Sequence, residues 1–141
     1  VKTSSLQSIQ IEDSDLVSLS IDEFPAVFIL AANAIGISTF KGIKELRVKE
    51  SDRISSMARG FQKLGINTVE FDDGIQIEGG KLHGGDVECF GDHRVAMSFA
   101  VAGASAKNAI KINNVESVDT SFPSFLDCVK KIGLCIKTSK E

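Results

Sequence analysis

Two short runs hold most of the side chains able to do chemistry: LRVKESDR at 46–53 and GDHR at 91–94. In the first, Lys49, Glu50 and Arg53 bring an ammonium, a carboxylate and a guanidinium close together along the chain. In the second, His93 and Arg94 follow Gly91-Asp92, and the glycine lets the backbone approach a neighbour or a ligand. A third segment, SIDEFP at 20–25, adds the carboxylate of Asp22. Guanidinium forks suit a planar carboxylate or a phosphate, because a bidentate pair fixes orientation as well as charge. Asp22 and Glu50 are the candidates for moving a proton. Taken alone, these residues describe a site for a small anionic molecule with acid and base groups beside it. The pattern does not name the molecule. Each segment also has a simpler explanation: Asp22 as a helix cap, the charged run as a solvated loop, His93 as a structural histidine.

The elements that position these residues are helices. Apolar spacing predicts helices over 25–35, 52–64, 93–105 and 122–132. Asp22 fits the N-cap of the first, and Pro25 fits its first turn, where a missing N–H has no partner to lose. Ser51 or Asp52 fits the start of the second, Asp92 the third, and Thr120 or Ser121 the fourth. Arg47, Lys49 and Arg53, then His93 and Arg94, put positive charge at helix ends that are already electropositive. Each such mismatch costs about 0.3–1 kcal/mol when exposed. Local violations of this kind tend to fall at functional sites. An anion in front of both helix ends would turn the mismatch into attraction.

Between the helices, strand-like runs occupy 38–43, 67–71, 75–78, 86–90, 108–113 and 134–138. Asp72-Asp73-Gly74 reads as a tight hairpin turn, and 79–85 as a looser one. Residues 1–21 are apolar at Leu6, Ile9, Ile11, Leu19 and Ile21, and read as strand remnants of a preceding unit. A weak internal repeat runs through the rest. Asp22 and Ala26 match Asp92 and Ala96, Phe40-Lys41 matches Ile110-Lys111, and QKLGI at 62–66 matches KKIGL at 130–134. The expectation is an α/β chain of duplicated units over 22–90 and 91–141. Stacked units would run their helices in parallel and gather their N-termini at one end.

Composition narrows the function. A chain of 141 residues with 43% apolar and 25% charged residues, 12 Gly and 2 Pro is that of one ordered domain. A net charge of -3 speaks against nucleic acid as a partner. The 9 aromatic residues are all Phe, so the belt of Trp and Tyr that marks membrane interfaces is missing. The longest apolar run, 26–35, is about half a membrane-spanning helix and contains Asn33. With no leader recognised at the N-terminus, the expected location is cytoplasmic. Cys89, Cys128 and Cys135, with His83 and His93, have no zinc-ligand spacing, so no metal is expected.

DEFPA, RVKESDR, GDHRVAM and SFP, in this order and with these gaps, resemble the 5-enolpyruvylshikimate-3-phosphate synthase family over 1–133. The resemblance covers the C-terminal third of such enzymes. It implies an inside-out α/β barrel of βαβαββ units, about two of which would lie in this chain. It also implies enolpyruvyl transfer from phosphoenolpyruvate to the 5-hydroxyl of shikimate 3-phosphate, without metal or organic cofactor. By resemblance Asp22 helps deprotonate the hydroxyl, Lys49 contacts shikimate 3-phosphate near the reacting oxygen, and Glu50 exchanges a proton with the methylene carbon. Arg53 and Arg94 would clamp the phosphoenolpyruvate carboxylate, with His93 beside them. Thr120 stands where many members have a phosphate-contacting Lys, and Glu45 where some have Asn. The further partner implied is the N-terminal domain, which supplies the rest of the binding shell, so this chain alone is expected not to turn over. The alternatives are the sister transfer to a UDP-amino sugar and a non-catalytic fold module.

Overall fold

In the computed structural model, residues 4–12 and 14–139 are described. The chain opens with strand β1 (Gln10–Ile11) and helix α1 (Ser14–Ser20), then a 3-10 turn at Ile21–Glu23 that leads into α2 (Phe24–Ala32). Strand β2 (Ile37–Phe40), a 3-10 segment at Lys44–Val48 and α3 (Arg53–Lys63) follow. Next come β3 (Thr68–Phe71), β4 (Gly74–Glu78) and β5 (Gly85–Glu88). Helix α4 (His93–Ala102), β6 (Ile110–Asn113), α5 (Ser117–Ser121) and α6 (Phe125–Lys131) complete the α/β chain.

Four strands form one sheet in the order β1-β2-β4-β3, with β1 parallel to β2 and β4 antiparallel to both of its neighbours. Strands β5 and β6 form a second, parallel pair. Thus β1–α2–β2 and β5–α4–β6 are two copies of one arrangement, a parallel strand pair joined by a helical crossover. The later helices repeat as well. At the ends of α3 and α6, Ile66 N–H reaches the Phe61 carbonyl and Leu134 N–H reaches that of Val129, at 2.9 and 3.0 Å. Gly65 and Gly133 supply the left-handed residue that each of these Schellman-type ends needs, at φ 81° and 96°. The QKLGI and KKIGL matches are this shared helix end.

The structure corrects several sequence expectations. Residues 14–20 are helical, so Leu19 is not a strand residue, and β1 pairs in parallel with β2. Strands β1 and β5 each run parallel to the strand that follows the next helix. The fourth helix, expected over 122–132, is α6, with Ser124 at its N-cap position without a side-chain bond, and Thr120 and Ser121 lie instead in the short helix α5 before Pro123. Residues 134–138 form no strand. Leu134 and Ile136 rest on the core but no ladder partner lies beside them among the described residues.

The core sits between the helices and the larger sheet. Phe24, Phe28 and Phe40 interlock with ring centroids 5.0–5.9 Å apart, which fixes α2 on β2. Phe61 of α3 meets Phe99 of α4 edge to face at 5.6 Å. Gly60 makes this contact possible, because a Cβ there would lie 2.2 Å from the Phe99 ring. The two helices that begin with Arg53 and His93-Arg94 are therefore held at close range by a ring packed on a residue without a side chain.

Candidate functional site

Helix α3 starts at Arg53 because Asp52 caps it, its carboxylate accepting from Ser55 N–H at 3.0 Å. Helix α4 starts at His93 because Asp92 caps it, with Oδ1 accepting from Arg94 and Val95 N–H at 2.9 and 3.3 Å. Asp22 does not cap α2. The cap position there is Glu23 without a side-chain bond, and Asp22 lies in the 3-10 turn before it. That extra turn releases the Asp22 carboxylate from the helix start and points it at the other two.

Three helix starts meet at Arg53, which is 1% exposed. Its Nε donates to Asp92 Oδ2 at 2.8 Å, Nη1 to Asp22 Oδ1 at 2.9 Å, and Nη2 to Glu50 Oε2 at 2.6 Å. Arg94 approaches from the far side of Asp22. Its Nη2 lies 3.5 Å from Asp22 Oδ2, while Nη1 donates to the Asp22 carbonyl at 3.0 Å and reaches Glu23 at 3.5 Å. Lys49 Nζ lies 3.8 Å from Asp22 Oδ1 and is paired with Glu45. The structure thus gathers Asp22, Lys49, Glu50, Arg53 and Arg94 into one cluster. His93 opens α4 half-buried, and its side chain makes no hydrogen bond or ion pair among the described residues. Thr120 is exposed on α5, outside the cluster.

The cations at these helix starts are balanced by the chain's own carboxylates. Asp22, Glu23, Glu45, Glu50 and Asp92 face Lys49, Arg53 and Arg94. Charge at the helix starts alone calls for an external anion to make these positions tolerable. Arg53 needs none, because a guanidinium this buried is stable only when paired and hydrogen-bonded. Burial by itself would lower the Arg53 pKa, and the Asp92 bond and charge with those of Glu50 and Asp22 raise it instead. Burial would raise the Asp22 carboxyl, but the Arg53 hydrogen bond and the charges of Arg94 and Lys49 hold it below the usual carboxylate range. The Glu45 hydrogen bond raises Lys49, fixing it as an ammonium.

Arg47 has a different task from the one its charge suggests. Its Nε donates to the Asp72 carbonyl at 2.9 Å, and its Nη1 to Asp52 at 2.7 Å and to Glu70 at 3.4 Å. It ties the segment before Lys49 and the α3 cap to the β3–β4 hairpin, so both ends of the Lys49–Glu50 stretch are anchored. Spacing along the chain did not reveal this, nor that Asp92 joins α3 to α4. Both depend on contacts between residues distant in sequence. Pro25, Ala26, Ile29, Arg94, Met97 and Ser98 continue from the cluster into a groove of about 300 Å³ between α2 and α4.

Comparison with known proteins places these residues in a wider setting. The family model for EPSP synthase (3-phosphoshikimate 1-carboxyvinyltransferase) matches residues 2–129. The 3-phosphoshikimate 1-carboxyvinyltransferase of Legionella pneumophila (strain Paris) is 54% identical over 126 residues, covering 89% of this chain and 29% of the relative. That of Nitrosococcus oceani is 52% identical over 140 residues, covering 99% and 31%. Among solved structures, EPSP synthase from Acinetobacter baumannii superposes with a TM-score of 0.92 at 46% identity, over 96% of this chain and 32% of that one. The chain spans about a third of the length of the proteins it matches.

Proposed function

The chain belongs to the EPSP synthase family, and from that membership we propose that it is part of an enzyme that moves the enolpyruvyl group of phosphoenolpyruvate onto shikimate 3-phosphate and releases phosphate. The observation that carries this reading is the convergence of Asp22, Lys49, Glu50, Arg53 and Arg94 from three helix starts onto one cluster. Arg53 and Arg94 present guanidinium groups on either side of one carboxylate position, which supports a clamp for the carboxylate of phosphoenolpyruvate. Asp22 takes the proton of the acceptor hydroxyl as its oxygen adds to the enol carbon, and Glu50 protonates the methylene carbon. Glu50 then removes a proton from the resulting methyl group as phosphate leaves. Lys49 contacts shikimate 3-phosphate beside the reacting oxygen, and His93 stands next to the clamp. The rest of the shell, including groups that hold both phosphates, belongs to the upstream domain of the longer protein, and the complete enzyme works in the cytoplasm.

A positioned pair of substrates supplies much of the rate in such a reaction. The test mixes or fuses this chain with the upstream two-thirds of its Legionella relative and follows phosphate release with both substrates. Phosphate release by the assembly and none by the chain alone is the expected result. An inactive but folded assembly, or turnover by the chain alone at enzyme-like rates, contradicts the reading.

A further inference from the structure

Resting on the carboxylate-clamp reading, we infer that the Asp22 carboxylate is the resident anion of the arginine pair, that a small-molecule carboxylate enters by exchange with it, and that Asp22 thereby sets which anions are admitted. Each oxygen of Asp22 serves one guanidinium, Oδ1 at 2.9 Å from Arg53 and Oδ2 at 3.5 Å from Arg94, and Lys49 stands 3.8 Å from Oδ1. Among the described residues no other carboxylate pairs with both arginines. Asp92 and Glu50 pair with Arg53 alone, and Glu23 with Arg94 alone.

The same contacts decide which carboxylate can leave. Asp92 is sealed from solvent, and its second oxygen is committed to the start of α4. Asp22 is 45% exposed on its side chain and lies in a short turn at the mouth of the groove between α2 and α4. Its departure leaves Arg53 still paired with Asp92 and Glu50, so no bare buried charge is created. An anion added without exchange would meet Asp22, Glu23, Glu45, Glu50 and Asp92 around only Lys49, Arg53 and Arg94. Like charges at such range repel strongly. Exchange removes that obstacle, and only an anion able to satisfy two guanidiniums at once replaces Asp22 without loss. It also frees Asp22 from the cations that hold its proton affinity down, so that it becomes a better base once the carboxylate is seated.

The test titrates phosphoenolpyruvate into this chain, following the arginine Nε–H signals by NMR, for the native sequence and for Asp22→Ala, with Asp22→Asn as a second variant. Removing the resident anion is expected to tighten binding about three- to tenfold in Asp22→Ala, the range for a partly exposed charge set against more than one cation. Unchanged or weaker binding by both folded variants overturns the exchange, as does the absence of detectable binding by either variant at millimolar ligand. Arg94→Ala separates the two proposals. If the native chain binds and Arg94→Ala binds equally well, the clamp reading fails; if Arg94→Ala loses binding while Asp22→Ala does not tighten it, only the exchange fails.

Discussion

Arg53 and Asp92 form an ion pair at 2.8 Å in which neither side chain meets water, at 1% and 0% exposure. Asp92 divides its oxygens between two tasks. Oδ1 caps α4, and Oδ2 receives Arg53 and the Ser51 hydroxyl at 3.1 Å. One carboxylate therefore sets the start of the helix that carries Arg94 and the orientation of the other arginine.

Asp92→Ala removes both tasks at once. Arg53 keeps Asp22 and Glu50, so the cost is that of one charged hydrogen bond in a buried site, about 1.5–3 kcal/mol, and not the larger penalty of an unpaired buried charge. Loss of a cap adds about 1 kcal/mol. A chain of this size has roughly 5–15 kcal/mol in all, so the variant should lose much of its resistance to urea. A midpoint close to that of the native chain would show that Asp22 and Glu50 alone suffice to hold Arg53.

The sequence made some of this legible and hid the rest. Caps are local, and Asp52 and Asp92 stand immediately before helices whose apolar spacing is plain, so α3 and α4 were readable to within a few residues. The same local rule puts Asp22 at a cap, but the 3-10 turn that displaces it is set by packing and not by spacing. Arg47 and Arg53 looked alike in a charged run. Their difference, one bound to a hairpin and the other to three carboxylates, arises from partners up to 39 residues away. Strand-like sequence at 134–138 was not enough for a strand, since a strand exists only with a neighbour to bond.

Asp22 gives the stability a signed pH dependence. Its folded carboxyl is held below the ordinary range, so its contribution is fully present above the unfolded pKa of about 3.9 and is lost as pH falls through the lower folded value. Half-exposure limits the effect to about 1 kcal/mol or less. Urea denaturation of the native chain and Asp22→Asn should differ by that amount at pH 7 and converge below about pH 4. A gap that widens on acidification would mean that Asp22 is not the group held by Arg53 and Arg94.

Cys89 is sealed in the core, and its thiol lies 2.8 Å from the Asn113 and Asn114 carbonyls. Burial pushes its pKa up to about 11, and the thiolate is the reactive form. Cys128 and Cys135 are exposed. A thiol reagent at pH 8 should label Cys128 and Cys135 quickly and reach Cys89 only after denaturation. Rapid labelling of Cys89 in the native chain would place the β5–α4 junction, and with it the GDHR segment, in a more open arrangement.

The account stands on Arg53 and Arg94 serving one small carboxylate from two helix starts. The direct measurement is the pair of binding constants for phosphoenolpyruvate and shikimate 3-phosphate in the enzyme completed with an upstream domain, before and after Arg94→Ala. Losing a charged bidentate donor from a desolvated site costs about 2–5 kcal/mol. The account predicts a loss of tenfold or more for phosphoenolpyruvate, with shikimate 3-phosphate changed less than threefold. Equal losses for both ligands would contradict it.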